Sequence, residues 1–191
     1  MGLRNTRLEY GSVAKWLHWS VAVLLTGSYV TMYTRMWFTE KDTYWHGTLI
    51  HWHFSIGLSI GCLMLLRLLW RQSNERPSLQ SLSPRHRQGA RLSHALLYFL
   101  LLFMPFSGYV STGADTHFFG LFDITAFKDT ALFQTTGLNA DLLKPLKTLH
   151  HWFGAWLVWT LVLVHACAGL FHHFGRRDDI LRRMTSGIAE K

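Results

Sequence analysis

Apolar residues along the chain gather into four long stretches, separated by segments rich in charge, proline and serine. We place the stretches near residues 14–37, 47–70, 92–112 and 149–174. Each is about as long as the 20 mostly apolar residues that a helix needs to cross a bilayer. The pattern predicts an all-α integral membrane protein, an antiparallel four-helix bundle forming a single domain over residues 1–191. Pro105 and Gly108 are expected to bend or loosen the outer half of the third stretch. The run before that stretch carries Pro77, Pro84 and Gly89 among serines and reads as an exposed loop. Residues 113–148 alternate aromatic anchors with isolated charges, which predicts a piece lying along the outer membrane surface, such as a short amphipathic helix.

Charge orients this picture. Fourteen of the nineteen Lys and Arg residues fall in the amino terminus, at the inner end of the second stretch, in the middle loop and in the tail; the other two loops hold five basic residues against six acidic ones. By the positive-inside rule, both termini and the middle loop are expected in the cytoplasm. A net charge of +8 placed beside apolar spans points to anionic lipid headgroups and topology, and no nucleic-acid partner is expected. Cys62 and Cys167 fall mid-span, and no C-x-x-C-H occurs, so the sequence offers no covalent haem attachment.

Histidines are the main polar intruders in the spans. Ionisable groups at membrane depth are costly and ask for a function. His151 and His165 lie fourteen residues apart. In a regular α-helix that separation turns through roughly 1400°, within about 40° of whole turns, and rises about 21 Å. Two imidazoles on one face near opposite sides of the membrane suit two stacked metal centres. Depth then pairs His18 with His165 on the inside and His53 with His151 on the outside. An iron held by two imidazoles on its two faces has no open position, which favours electron transfer over oxygen binding. Helix geometry leaves neighbours open: His46 and His51 precede His53, and His150 is only about 60° off phase with His165. Gly57, Gly154 and Gly169 follow candidate ligands by about a turn and would leave room for a flat cofactor. Arg67 and Arg71 could meet carboxylates of such a cofactor. His94, four residues before Tyr98, is a hydrogen-bonding or quinone-site candidate, and His172 and His173 are candidates for interfacial or proton-handling roles.

These residues carry a resemblance. KWLHW around His18, HFSIG from His53 to Gly57, R-x-S-H-x-x-x-Y with the later PFSGY, FFGLFD at 118–123, and the H-x13-H from His151 to His165 resemble the bacterial cytochrome b561 family over nearly the whole chain. That family's members are four-helix membrane proteins with two b-type haems. The resemblance implies that His18, His53, His151 and His165 hold the haem iron, choosing His53 over His51 and His151 over His150. It implies a bacterial inner-membrane, multi-pass location and electron exchange with ubiquinone or menaquinone. One branch oxidises superoxide and passes the electron to ubiquinone. A redox-protein partner, as in the haem-bearing anchor of a dehydrogenase or hydrogenase, is a further reading. A haemless transporter or channel lined by the histidines stands outside this class.

Overall fold

The structure is a computed structural model that describes residues 2–78 and 82–187. Lys191, counted above among the inner basic residues, lies outside them. Four long helical segments account for most of the chain: α1 (Ser12–Phe38), α2 (Tyr44–Ser73), α3 (Pro84–Ser111) and a last one running through α5 (Lys144–Trp152) and α6 (Trp159–Leu170). Three of them, Tyr44–Ser73, Pro84–Ser111 and Ala140–Gly175, are long and apolar enough to cross a membrane. α1 is 27 residues long, about 40 Å at the α-helical rise. Its apolar run is more diluted by Thr, Ser, Gly and Tyr than the others.

The core between the helices is narrow. Val21, Ile56, Ile60, Met64, Leu100, Leu101 and Val158 form it. Outside it, leucines, phenylalanines and tryptophans face outward along all four segments, as expected where the surrounding solvent is hydrocarbon. A Cβ added at Gly61 would stand 3.1 Å from the ring of Pro105, so α2 and α3 cross with almost nothing between backbone and ring. Tyr29 Oη donates to the Gly154 carbonyl at 2.7 Å, and Trp159 Nε1 donates to Tyr33 Oη at 2.8 Å. These polar bonds join α1 to the last helical segment, where water is absent to compete for them.

Two departures from the sequence reading stand out. α3 begins at Pro84, well inside the run read as loop. Proline at the first helical position loses no needed N–H and brings its φ preset, so Pro84 starts the helix where it was read as breaking the chain. The 113–148 connection holds a hairpin that the sequence reading did not expect beside a short helix. It builds a two-stranded antiparallel hairpin, β1 (Thr116–Phe118) with β2 (Phe122–Ile124), then the short helix α4 (Ala131–Thr135) between single 3-10 turns. Phe119 and Gly120 take positive φ at the hairpin's turn; the glycine is free to adopt that conformation. The hairpin docks on α2 through the fully buried Ser55, which donates to the His117 carbonyl and accepts from the Phe119 N–H.

The inner end is also knitted. Tyr10 N–H donates to the Arg183 carbonyl, Trp19 Nε1 to the Met184 carbonyl, Arg183 Nη1 to the Ser78 carbonyl, and Ser78 N–H to the Arg7 carbonyl. The amino-terminal segment, the residues after α2 and the tail thus close the same end of the bundle.

Candidate haem-binding histidine pairs

The chain brings two pairs of imidazoles together at two levels. At the inner end, His18 of α1 and His165 of α6 have ring centroids 6.1 Å apart. At the outer end, His53 of α2 and His150 of α5 have centroids 6.3 Å apart. Two imidazoles on one metal, each with a metal–nitrogen bond of about 2.0 Å and a ring radius of about 1.1 Å, have centroids about 6.2 Å apart. Both spacings fit one iron per pair. Among the described residues, no group of three or more His, Cys, Asp or Glu side chains converges as a metal site. Two imidazoles alone need the remaining ligands from the cofactor, and a porphyrin supplies four nitrogens.

At the outer pair, hydrogen bonds fix which ring nitrogen is free. His53 Nδ1 lies 3.2 Å from the Ser28 carbonyl and 3.0 Å from Ser28 Oγ. His150 Nδ1 lies 3.1 Å from the Met104 carbonyl and 3.2 Å from Ser107 Oγ. A carbonyl only accepts, so each Nδ1 carries its proton and each Nε2 keeps a lone pair. That is the arrangement metal-ligating histidines usually show, with the second nitrogen donating to a carbonyl that also raises ligand basicity. His51 is directed elsewhere: its Nδ1 meets Thr116 Oγ1 at 2.8 Å, and its ring lies 5.1 Å from that of His117 on the hairpin. His46 Nδ1 likewise bonds Thr39 Oγ1 at 2.9 Å.

The inner pair differs. Arg67 Nη1 donates to His18 Nδ1 at 2.7 Å. A guanidinium cannot accept, so this Nδ1 must be the unprotonated nitrogen. A third imidazole, His94 of α3, has its centroid 5.4 Å from that of His165. Farther along the chain, His172 bonds Asp178 at 2.6 Å, in keeping with an interfacial role.

His151 is exposed, with its ring 6.2 Å from that of His150 and still within electrostatic range of His53. The reason it does not face His53 is local. Residues Phe153–Val158 form a π-helical turn. A π turn closes its hydrogen bonds one residue later than an α turn, so one extra residue passes without advancing the rest of the helix. His150 and His165 are fifteen residues apart; removing one leaves fourteen α-helical steps, the phase that His151 would have in a regular helix. Gly108 completes the position, since a Cβ there would stand 2.9 Å from His150 Cε1. Of the glycines noted for a flat cofactor, Gly57 has nothing within 4 Å of an added Cβ, Gly154 abuts the flexible end of Met104 at 3.2 Å, and Gly169 meets Leu181 at 3.9 Å.

Comparison with known proteins agrees with the motifs. The family model for prokaryotic cytochrome b561 matches residues 9–187. Cytochrome b561 homolog 2 of Escherichia coli (strain K12) is 34% identical over 190 residues, covering 96% of this chain and 95% of that one. Cytochrome b561 homolog 1 of the same organism is 27% identical over 173 residues, 88% and 92% of the two chains. A probable superoxide oxidase CybB of Yersinia pestis is 27% identical over 180 residues, 92% and 95% of the two chains. Family membership carries with it b-type haem, transmembrane helices and membrane electron transfer. With its apolar helices and its histidines facing one another inside them, the chain belongs to the prokaryotic cytochrome b561 family.

Proposed function

We propose that this single-domain protein spans the bacterial inner membrane four times with both termini cytoplasmic. In this reading it holds two b-type haems and exchanges electrons with ubiquinone or menaquinone. His18 and His165 hold the inner iron; His53 and His151 hold the outer one. Haem supplies reversible one-electron chemistry, and the residues set where and at what potential it happens. The observation that carries the proposal is two imidazole juxtapositions of iron-bridging width, His18 with His165 and His53 with His150, the neighbour of His151, at levels about 20 Å apart in depth. Backbone carbonyls orient the outer pair, and a guanidinium faces the inner one.

A second reading concerns only the outer ligand. His150 already stands opposite His53 with its Nε2 lone pair free, whereas the family's H-x13-H spacing designates His151. Haem counts of the single variants decide between them: the alanine variant of the true ligand loses one haem, and the other keeps both.

The outer surface bears on the choice of electron donor. A superoxide site needs concentrated positive charge to draw in a small anion. Two of the four outer lysines have acidic neighbours, Lys144 with Asp141 at 2.8 Å and Lys128 with Asp129 at 3.9 Å. This supports quinone exchange with a second redox partner over superoxide as the main reaction. The test is a visible spectrum with a redox titration, followed by stopped-flow reduction with quinol and with superoxide. We expect b-type bands, two haems per chain and faster reduction by quinol. A correctly assembled but colourless protein would point to a haemless membrane protein and end the proposal.

A further inference from the structure

The outer cap brings together two histidines that belong to neither of the pairs described above. His51 of α2 and His117 of β1 have ring centroids 5.1 Å apart, with their planes at 52°. That is about an ångström closer than the 6.1 Å and 6.3 Å of the two facing pairs. The difference has a geometric meaning. Imidazoles on opposite sides of one metal stand about 6.2 Å apart, whereas bonds of the same length meeting at the tetrahedral angle of about 109° bring the centroids to about 5.1 Å. The spacing of His51 and His117 is that of a bent pair on a tetrahedral ion.

The second nitrogen of each ring is already held. His117 Nδ1 donates to the carboxylate of Asp123, its register partner across the hairpin. An ionised carboxylate only accepts, so the proton is on Nδ1 and Nε2 keeps its lone pair. His51 Nδ1 lies 2.8 Å from Thr116 Oγ1, a hydroxyl able to accept. A carboxylate or other acceptor behind the ring is the usual support of a metal-ligating histidine. Ser55 ties the two backbones together, with its Oγ 2.8 Å from the His51 carbonyl and 3.1 Å from the His117 carbonyl. The hairpin is therefore seated without the help of the His117–Asp123 pair, and an exposed ion pair adds little stability by itself. What that pair does add is a fixed tautomer. His51 is half-buried, while His117 and Asp123 are exposed, so a cation can arrive from water.

We propose that His51 and His117 are the protein ligands of a divalent transition-metal site, with Asp123 and Thr116 orienting the rings. Imidazole nitrogens select zinc, copper or nickel over calcium and magnesium, which take oxygen ligands. Two nitrogens do not close the shell, and water takes the remaining positions, as at the open position of catalytic zinc. A metal there bridges α2 to β1 and fastens the hairpin. The site is independent of the haem reading.

The test uses the haem-loaded full-length protein, without a histidine tag, and Zn2+ as the probe, since zinc has no redox chemistry of its own. Equilibrium dialysis with metal analysis gives affinity, X-ray absorption at the zinc edge counts imidazoles, and limited proteolysis between residues 113 and 130 reads the hairpin. We expect one zinc per chain with two imidazoles, and slower cleavage of the hairpin when zinc is bound. Asp123→Asn should weaken binding roughly tenfold, as for loss of a partner behind a ligand, and His51→Gln and His117→Gln should weaken it at least as much. His46→Gln, on the same end of α2, should bind zinc as the parent does. Unchanged affinity in both His51→Gln and His117→Gln would overturn the proposal, as would a bound zinc with fewer than two imidazoles, or binding lost in His46→Gln instead. Haem content is measured in every sample. Where His51→Gln fails to assemble, His117→Gln on the exposed strand decides. A parent with its haems but no zinc sinks this proposal alone, and a parent without haem sinks the function reading alone.

Discussion

The inner and outer histidine pairs have nearly the same spacing and opposite surroundings. His53 Nδ1 points at a carbonyl oxygen, while His18 Nδ1 points at a guanidinium. A carbonyl acceptor pushes electron density onto its imidazole and favours oxidised iron. A nearby cation favours the reduced, less positive iron. The difference teaches that one fold can give two histidine pairs of nearly equal width opposite electrostatic settings by changing a single neighbour on each ring. Under the two-haem proposal, the haem at His18 and His165 should have the higher potential, and electrons should run downhill toward that pair.

The largest effect that tests this comparison is removal of a ring. His165→Ala should cut the haem content from two to one and abolish the higher-potential component of a redox titration. His53→Ala should do the same to the lower-potential component. If each variant loses the opposite component, the ordering of the two sites is reversed. A sharper question lies within the outer pair. His151→Ala and His150→Ala should differ, one losing a haem and the other changing only its absorption envelope; pyridine haemochrome assays would read this. Next in size, Arg67→Gln should lower the inner potential on the order of 50 mV, about 1 kcal/mol for one electron, and leave the outer potential in place. Ser28→Ala should move only the outer potential, and by less, because the Ser28 carbonyl stays. The smallest effect concerns the outer cap. Ser55→Ala removes the side-chain bonds that seat the hairpin on α2 and should destabilise the hairpin by about 1–3 kcal/mol. Faster limited proteolysis between residues 113 and 130, with haem content unchanged, would show it.

How far the sequence could be read depends on whether each region obeys a regular period. The helices of the second, third and last apolar stretches follow from length and hydropathy alone, and the approach of His18 to His165 follows from depth. Spacing alone leaves His51 open beside His53, and the resemblance chooses His53. The hairpin engages His51 through Thr116 and His117, a contact no local pattern announces. Phase arithmetic for His150 and His151 assumed a uniform α-helix, and the π turn at Phe153–Val158 adds one residue that no propensity scale reveals. The start of α3 is legible in principle, because Ser83 followed by Pro84 is a helix-opening pair, although a proline among serines and a glycine also reads as a chain break. The hairpin was hidden because its strands are only three residues long. Its signal is the FFGLF turn, with a glycine where φ must be positive.

The knot at the inner face has a bearing on how the molecule is made. Tyr10 and its backbone partner Arg183 are separated by all four long helical segments. The segment that holds Tyr10 therefore stays without that bond until the last helical segment is in place and the residues after it have emerged. Closure of that face follows insertion of the last helix, and a chain stalled before Arg183 would leave that end of the bundle unsealed.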